Sequence, residues 1–368
     1  MLRTDELDYH LPEDLIAVRP AEPRDSARLM VVRRSDPAIV EHRTVRDLPE
    51  LLDAHDLLVF NRSRVLPARF FAVREDTGGK AEGLYLRDGD EPGTWEVMVK
   101  ARRKSEGAVI RLLDRHGKPG PIRLTLLRRV GDREPGAWVA SVEGRTGEPA
   151  DASQALTELG FTPLPPYIVA ARKRLGLDIA DEQDRAAYQT VYAAEAGSVA
   201  APTAGLHFTP GLLDRLEQLG VERGEVVLHV GTGTFKPVEA ETVEAHQMHS
   251  ERCALTPGLR ERVESRMAGR TPGRVIPVGT TSARTLESFA KLDRDPDWLE
   301  TEILITPGHE WRWAHGLLTN FHLPRSTLMA MVASLLPGGA IDLRRLYELA
   351  VAERYRFYSY GDAMLLLP

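Results

Sequence analysis

Thr94-Trp95-Glu96-Val97-Met98-Val99 is the clearest of the short apolar segments that determine the fold of the first half of the chain. The segments are bounded by glycines or charged residues and recur at roughly 12–15-residue spacing, with no strong helical pattern between them. This spacing is typical of a small antiparallel β-sandwich or barrel. The series lies in the region 65–150 and also includes Gly83–Leu86, Ala108–Leu113, Ile122–Leu127 and Ala137–Val142.

The second half of the chain alternates helix and strand signals. Thr209 can cap a helix, and Pro210 suits the first turn of that helix. The predicted strand Val226–Val230 follows. A second helix is predicted after Thr256 and a second strand at Val275–Val278. Alternating helices and strands favour an α/β layer, so we predict a mixed α/β fold beside the strand-rich region.

The composition is that of an ordinary soluble globular protein, with 42% hydrophobic and 28% charged residues. At about 100–200 residues per domain, 368 residues indicate two or three domains. The single cysteine, Cys253, excludes an intrachain disulfide and a cysteine-based zinc or iron–sulfur site. The N-terminus lacks the apolar core of a signal peptide, and no apolar run has the length of a membrane span. We therefore expect a cytoplasmic protein without a membrane segment.

Charge is distributed unevenly along the chain. The total is 48 basic against 54 acidic residues, which disfavours a nucleic-acid partner, and 41 of the basic residues are arginines. Residues 100–133, however, contain 11 basic and 3 acidic residues. Arginine suits bidentate phosphate contacts, so this local excess favours an anionic partner. Coding bias and a solvated, salt-bridged surface are the alternatives.

The segment Gly279-Thr280-Thr281-Ser282-Ala283-Arg284 lies at a predicted strand-to-helix turn. Backbone N–H groups at a helix N-terminus, with hydroxyls and an arginine nearby, form an anion site. The segment matches neither the Walker A pattern nor the dinucleotide fingerprint. Ordinary capping by Thr281 or Ser282 is the alternative.

Further segments carry small or polar residues at predicted turns. Glycines in Leu228–Phe235 permit close ligand approach, and the small residues of Ala201–Phe208 allow a flat ligand to contact the backbone; tight packing explains both equally well. Thr319–Pro324 precedes a helix, where functional residues concentrate. Tyr355–Met364 contains aromatic rings and arginines that can stack on a base, or that form an aromatic core strand. The His-x-x-His-x-Glu pattern at 246–251 lacks a helical frame, so no metal site is predicted.

Together and in this order, the segments resemble the family of S-adenosylmethionine:tRNA ribosyltransferase-isomerases of queuosine biosynthesis. The resemblance spans essentially the whole chain, although Arg62 replaces a more usual Asp or Asn and Trp311–His315 is unusual for the family. The stretches that carry it are Leu7–Tyr9, Leu11-Pro12, Arg19-Pro20, Arg24, Ser26–Leu29, Val59–Val65, Ala68-Arg69, Pro165–Ile168, Tyr188–Tyr192, Val199–Phe208, Leu228–Phe235, His246–Glu251, Gly279–Ser288, Thr319–Leu328 and Tyr355–Met364.

The resemblance implies a larger α/β domain, residues 1–64 and 151–368, with a small antiparallel β-barrel domain, residues 65–150, inserted into it. It implies transfer and isomerisation of the ribosyl moiety of S-adenosylmethionine onto 7-aminomethyl-7-deazaguanine at the tRNA wobble position. The products are epoxyqueuosine in tRNA, adenine and methionine. S-adenosylmethionine is a cosubstrate, and no other cofactor or metal is implied. We expect a monomer.

This chemistry needs a base for the acidified ribose 5′ carbon and a proton donor for the departing adenine. The predicted catalytic residues are His207, His229, His322, Asp362 and Tyr360. The methionine carboxylate is assigned to the turn at 280–282, and the aromatic rings are assigned to base stacking. The predicted substrate-binding residues are Thr203, Gly205, Phe208, Gly231, Gly233, Thr280, Thr281, Ser282, Arg284, Asn320, Phe321 and Tyr358. The predicted tRNA-binding residues are Arg62, Arg64, Lys100, Arg102, Arg103, Lys104, Arg172, Lys173 and Arg174.

Two other functions remain open from the sequence. An S-adenosylmethionine-dependent RNA methyltransferase would share the cosubstrate and leave S-adenosylhomocysteine, although the N-terminal third lacks an early glycine-rich strand–turn–helix. A non-catalytic RNA-binding module would explain the basic segment but not the polar, glycine-rich turns of the second half.

Overall fold

The computed structural model describes residues 1–102, 104–131, 136–144, 147–177, 181–231 and 238–368. Two predicted site residues, Arg103 and Gly233, lie outside this described part of the chain. The strands are β1 (Arg28–Arg33), β2 (Asp36–Thr44), β3 (Leu57–Asn61), β4 (Ser63–Val65), β5 (Arg69–Arg74), β6 (Lys80–Asp88), β7 (Thr94–Ala101), β8 (Val109–Leu113), β9 (Pro119–Arg129), β10 (Ala137–Glu143), β11 (Glu195–Ser198), β12 (Glu222–Leu228), β13 (Glu251–Leu255), β14 (Val275–Val278), β15 (Leu299–Thr301), β16 (Leu317–Asn320) and β17 (Ala363–Leu367).

The helices are short and lie mostly in the second half of the chain. They are α1 (Leu48–Leu51), α2 (Ala152–Leu159), α3 (Pro166–Arg174), α4 (Asp181–Ala187), α5 (Pro210–Gln218), α6 (Leu259–Met267), α7 (Thr280–Phe289), α8 (Thr327–Ala333) and α9 (Ala340–Ala352). The predicted cap of α5 is confirmed, because the Thr209 side chain accepts a hydrogen bond from the Leu212 N–H. None of the helices formed by the described residues has the length and apolar character that crossing a bilayer requires.

The predicted β-barrel is confirmed as a closed, antiparallel barrel of six strands in the order β10-β7-β6-β5-β8-β9. Alternate side chains point inward, as the period of two in a strand requires, and Trp95 lies in the barrel core. Only glycine fits at residue 83, because the ring of Phe70 occupies the space of a side chain: a Cβ there would lie 2.1 Å from the ring. The apolar core extends to Leu156 and Leu159 of α2, which lie beyond residue 150. The predicted division into domains stays a prediction.

The second structural unit is a nine-stranded mixed sheet in the order β15-β13-β12-β3-β14-β16-β17-β1-β2. One face, with Leu58 and Ile276, packs against α1 and α5. The other face packs against α6 and α7 where it is formed by β12, β3 and β14, and against α8 and α9 where it is formed by β16, β17 and β1. Helices therefore cover both faces, and the predicted mixed α/β fold is confirmed.

Strand direction determines which loops meet. Strands β12, β3, β14 and β16 run parallel to one another, so their carboxyl ends lie at the same edge of the sheet. Strand β17 is antiparallel to β16, and the segment 358–362 that precedes β17 therefore lies at this edge too. Clefts at the carboxyl ends of parallel strands are the usual ligand sites of open α/β sheets.

Replacing Trp95 with alanine tests the barrel core. Trp95 is 1% exposed and packs edge-on against Tyr85 with ring centroids 5.4 Å apart. We expect Trp95→Ala to lower the free energy of unfolding by about 3–5 kcal/mol, because it leaves a cavity. The matched control is Ile39→Ala at a position 61% exposed, where we expect a change within about 0.5 kcal/mol. Urea denaturation measures both, and a loss below about 1 kcal/mol for Trp95→Ala would contradict this packing.

Candidate active site

A cleft opens at the carboxyl edge of the parallel strands, between the segments that follow β14 and β16 and the segment that precedes β17. Its lining combines small residues, hydroxyl groups and two tyrosine rings, which suits a flat ligand with polar substituents. The lining residues are Tyr167, Ala201, Pro202, Thr203, Ala204, Val230, Gly279, Thr280, Thr281, Thr319, Asn320, Phe321, His322, Leu323, Ser326, Leu328, Tyr358 and Ser359.

The N-terminus of α7 forms one wall of this cleft. Gly279 has φ +87°, a left-handed conformation that favours glycine and lets the chain turn directly from β14 into the helix. No side chain caps the first N–H groups of α7, and the Thr281 Oγ1 atom is buried without a hydrogen-bond partner among the described residues. Uncapped N–H groups at a buried helix start form a site for an anion or a polar ligand group.

Four other predicted hydroxyl and glycine positions, on this turn and on the segment 203–207, have different surroundings. Ser282 donates to the Val278 carbonyl at 2.9 Å and faces the core, whereas Thr280 and Thr203 line the cleft. Gly205 accommodates the hydroxyl of Tyr192, since a Cβ at residue 205 would lie 1.9 Å from that oxygen. Gly205 therefore serves packing, which was the alternative in the sequence analysis.

Asn320 connects three segments at the floor of the cleft. Its amide nitrogen donates to the Tyr358 carbonyl at 3.0 Å and lies 3.3 Å from His207 Nε2, while its oxygen accepts from Thr203 Oγ1 at 3.3 Å. Tyr358 has φ +72°, a strained conformation for a residue with a side chain. The Asn320 bond supports this conformation, which brings the Tyr358 ring into the cleft lining.

Two predicted catalytic histidines are buried at the cleft. His322 lines it and has its Nε2 atom 2.8 Å from Thr319 Oγ1, whereas His207 lies behind Asn320. Burial lowers the pKa of His207 to about 4 and that of His322 to about 3. General acid–base catalysis favours groups that titrate near neutrality, whereas these pKa values make both imidazoles neutral at pH 7. Their catalytic roles stay predictions.

The other three predicted catalytic residues lie outside the cleft lining. Asp362 is buried and accepts hydrogen bonds from the backbone N–H groups of Arg28 and Arg356 at 3.1 and 2.8 Å, and from the Arg356 guanidinium. These donors occupy its oxygens and favour a structural role, which is to fix the segment before β17. The Tyr360 hydroxyl is buried beside the Tyr188 ring, and burial raises its pKa. Proton transfer by either group stays an untested prediction.

His229, which follows β12, does not line the cleft, whereas its neighbour Val230 does. Its ring stacks on Trp298 with centroids 5.2 Å apart, and burial lowers its pKa. Gly231, the next predicted residue along the chain, donates its N–H to Glu251 Oε1 at 3.0 Å.

The aromatic rings available for stacking differ in part from those predicted. Phe208 is 0% exposed and packs edge-on against Phe60, and the Phe321 ring packs among core aromatics. Neither ring face is accessible to a base, which corrects the assignment of stacking to these two residues. Of the predicted rings, Tyr358 lines the cleft, as does Tyr167, which was not predicted. Their ring centroids lie 4.7 Å apart, and the Tyr167 hydroxyl bonds the Ser359 hydroxyl.

The structure separates the predicted tRNA-binding residues into accessible and buried groups. Arg172 is 3% exposed and forms a bidentate ion pair with Asp184, so a phosphate cannot reach it, which corrects that assignment. Arg64 is exposed and follows β3, at the edge of the sheet where the cleft opens. Arg62 lies 3.5–3.7 Å from two glutamates, and Arg174 pairs with Glu13. Lys104 Nζ donates to the Val99 carbonyl. The remaining described members of the group are exposed: Lys100, Arg102 and Lys173.

Several cleft residues were missed by the sequence analysis. Tyr167 was quoted only as part of a family-like stretch, and its position after two prolines gave no signal of a site. Ser359 and Ser326 are ordinary polar residues in sequence. Glu251, which lies beside the cleft, was considered only as part of a metal pattern and of a family-like stretch. None of the described residues forms a group of three or more His, Cys, Asp and Glu that could hold a metal ion.

The cleft and its position on the sheet are those of an α/β enzyme, and comparison with known proteins gives the family. The family model described as "Queuosine biosynthesis protein" matches residues 4–366. A Desulfitobacterium hafniense protein named "S-adenosylmethionine:tRNA ribosyltransferase-isomerase" is 44% identical over 372 residues, covering 100% of both chains. A Rubrobacter xylanophilus protein of the same name is 45% identical, covering 100% of this chain and 98% of its own. A crystal structure of S-adenosylmethionine tRNA ribosyltransferase from Thermotoga maritima is 31% identical with a TM-score of 0.51, covering 98% of this chain and 100% of that one.

The chain therefore belongs to the family of queuosine biosynthesis proteins, and the resemblance stated from its motifs is confirmed. The prediction of an enzyme of the transferase and isomerase type is confirmed as well.

The buried histidines predict how stability depends on pH. The ordinary pKa of 6.5 describes His207 in the unfolded chain, and its folded pKa is about 4. Between pH 6.5 and 4 the unfolded chain therefore binds this proton more readily than the folded protein does. The free energy of unfolding is highest above pH 6.5 and decreases as the pH falls toward 4. We expect a loss of about 1.4 kcal/mol per pH unit in this window from each such histidine.

Urea denaturation of the wild type and of His207→Gln between pH 7 and 4.5 measures this effect. The difference between the two proteins isolates His207 from the carboxylates that titrate in the same range. We expect a shallower pH dependence in the variant. Parallel curves would show that His207 titrates equally in the folded and unfolded states.

Proposed function

We propose that this protein transfers and isomerises the ribosyl moiety of S-adenosylmethionine onto 7-aminomethyl-7-deazaguanine at the wobble position of tRNA. The products are epoxyqueuosine in tRNA, free adenine and free methionine. The single observation that carries the proposal is the cleft, in which an uncapped helix N-terminus faces two tyrosine rings in a chain of this family. S-adenosylmethionine is the cosubstrate, and the proposal needs no further cofactor.

The cleft residues provide binding and orientation. The rings of Tyr167 and Tyr358 offer faces on which adenine or the deazaguanine base stacks. The N–H groups of α7 and the Thr281 hydroxyl bind polar groups of S-adenosylmethionine. The fold holds these groups in place, so they need little reorganisation when the substrates bind.

The reaction requires proton transfer within this cleft. The sulfonium acidifies the hydrogens on the ribose 5′ carbon, and a base must remove one of them. Of the five predicted catalytic residues, which the structure describes in full, His322 alone lines the cleft. Its neutral imidazole has a lone pair that can accept a proton, although burial lowers its pKa to about 3 and so weakens it as a base. The departing adenine receives a proton or a hydrogen bond from the polar groups that line the cleft.

Product analysis tests the proposed reaction. The protein is incubated with S-adenosylmethionine and tRNA bearing the aminomethyl base, and the nucleosides and small products are analysed by mass spectrometry. We expect epoxyqueuosine with equal amounts of adenine and methionine. S-adenosylhomocysteine in their place would identify a methyltransferase, and the absence of label transfer from radioactive S-adenosylmethionine would favour a non-catalytic RNA-binding protein.

The Thr281→Val variant tests the helix N-terminus within this assay. Removing the hydroxyl while keeping the shape should lower kcat/KM by about 2- to 10-fold, the range for one hydrogen bond. Thr157→Val is the matched control, because Thr157 is exposed on α2 and its hydroxyl bonds only within that helix, to the Ser153 carbonyl. Equal activity of Thr281→Val and the control would remove Thr281 from the site.

The salt dependence of tRNA binding tests the basic segment of the barrel. Each phosphate contact that is lost lowers the slope of log affinity against log salt by about 0.7–0.9. We expect Arg102→Gln/Arg103→Gln/Lys104→Gln to weaken binding and to flatten this slope by about two. The control Arg344→Gln/Arg345→Gln neutralises exposed arginines on α9 and should leave the slope unchanged. An unchanged slope in the triple variant would contradict the assignment.

A further inference from the structure

A second, smaller pocket adjoins the cleft and shares Leu328 with it. The functions assigned above leave this pocket unused. Its lining contains both signs of charge, unlike the uncharged lining of the cleft. The lining residues are His246, Met248, His249, Glu251, Arg284, Thr327 and Leu328.

Arg284 has two donor groups without a hydrogen-bond partner in the part of the chain that the structure describes. Its side chain is 3% exposed, and its Nη1 atom donates to Glu251 Oε2. Its Nε and Nη2 atoms are buried and have no hydrogen-bond partner among the described residues. Buried donors on a charged group are costly to leave unpaired, so these two unpaired donor atoms indicate that a ligand binds here. The Nε and Nη2 atoms form one edge of the guanidinium, the geometry that binds a carboxylate through two parallel bonds.

The fold places this ion pair at the same edge of the sheet as the cleft. Arg284 lies one turn into α7, and long side chains on a helix point back toward its N-terminus. Glu251 begins β13, which is antiparallel to β12, so it lies beside the carboxyl end of β12. The Gly231 N–H donates to Glu251 Oε1 at 3.0 Å and orients the carboxylate. The pair is therefore already positioned before a ligand binds.

The charge of the pair selects the class of ligand. Arg284 and Glu251 together carry no net charge, so a phosphate would meet repulsion from Glu251 while it approaches Arg284. A zwitterion with a carboxylate and an ammonium group on one carbon complements both partners. This is the head group of an α-amino acid.

We propose that this pocket binds the α-amino acid head group of S-adenosylmethionine, and the inference rests on the proposed function. The carboxylate accepts hydrogen bonds from Nε and Nη2 of Arg284, and the ammonium group donates to Glu251. The adenosine part then extends past Leu328 into the cleft, beside the two tyrosine rings. This assignment moves the methionine carboxylate from the turn at 280–282, where the sequence analysis placed it, to the guanidinium one turn further along α7.

Calorimetric titration of the wild-type protein with three ligands tests the proposal without any variant. The ligands are S-adenosylmethionine, its decarboxylated form, which keeps the ammonium group, and 5′-methylthioadenosine, which lacks the whole amino-acid group. Two charge-assisted hydrogen bonds predict that the decarboxylated form binds about 10- to 100-fold more weakly than S-adenosylmethionine. Equal affinity of these two ligands would overturn the proposal.

The Arg284→Gln variant assigns the effect to this residue. We expect its affinity for S-adenosylmethionine to fall about 10- to 100-fold, while its affinity for the decarboxylated form and for 5′-methylthioadenosine stays within about twofold of the wild type. Arg345→Gln, on the exposed side of α9, is the matched control. A variant that keeps the wild-type preference for the carboxylated ligand would overturn the assignment. If Arg284→Gln fails to fold, Arg284→Lys, which keeps the charge and loses the two-pronged donor edge, replaces it with the same expected loss of preference.

These outcomes separate the inference from the proposed function. Formation of epoxyqueuosine together with no preference for the carboxylated ligand refutes the pocket assignment alone. A preference that depends on Arg284, in a protein that forms no epoxyqueuosine, refutes the proposed reaction and supports the pocket.

Discussion

The direct connection of β14 to α7 is the constraint on which the site depends. The left-handed Gly279 lets the chain reverse from strand to buried helix within one residue. The start of α7 therefore lies at the carboxyl edge of the parallel strands, between the segments that follow β12 and β16. Its uncapped N–H groups and Thr281 form a wall of the cleft, and Arg284, one turn further, reaches the adjoining pocket. A side chain at residue 279 would strain this turn and displace both features.

The electrostatics of the site follow from burial. The cleft is lined by neutral groups, and burial keeps both His207 and His322 uncharged at pH 7. Beside the cleft, Arg284 and Glu251 form an ion pair. In the proposed reaction the sulfonium therefore brings the main positive charge into the cleft, and neutral imidazoles do not repel it.

The basic segment of the barrel shows what composition cannot decide. Residues 100–133 have a large excess of positive charge in sequence, but in the structure Arg111 and Arg123 both pair with Glu75, and Arg128 lies 3.8 Å from Glu91. These acidic partners come from outside the segment. The charge that remains for a phosphate backbone is smaller than the sequence count and is carried by side chains such as Arg102.

The sequence by itself determined the strand-rich barrel, the alternating α/β half, the strand-to-helix turn at 279–284 and the family, because these depend on local periodicity, turn residues and contiguous motifs. The tertiary structure alone decided which side chains meet. Phe208 and Arg172 had suitable chemistry but are buried in the core and in an ion pair, whereas Tyr167 lies in the cleft. Strand order and direction bring segments that are distant along the chain to one edge, and burial then shifts pKa values and removes groups from reach. Neither effect has a signal in local sequence.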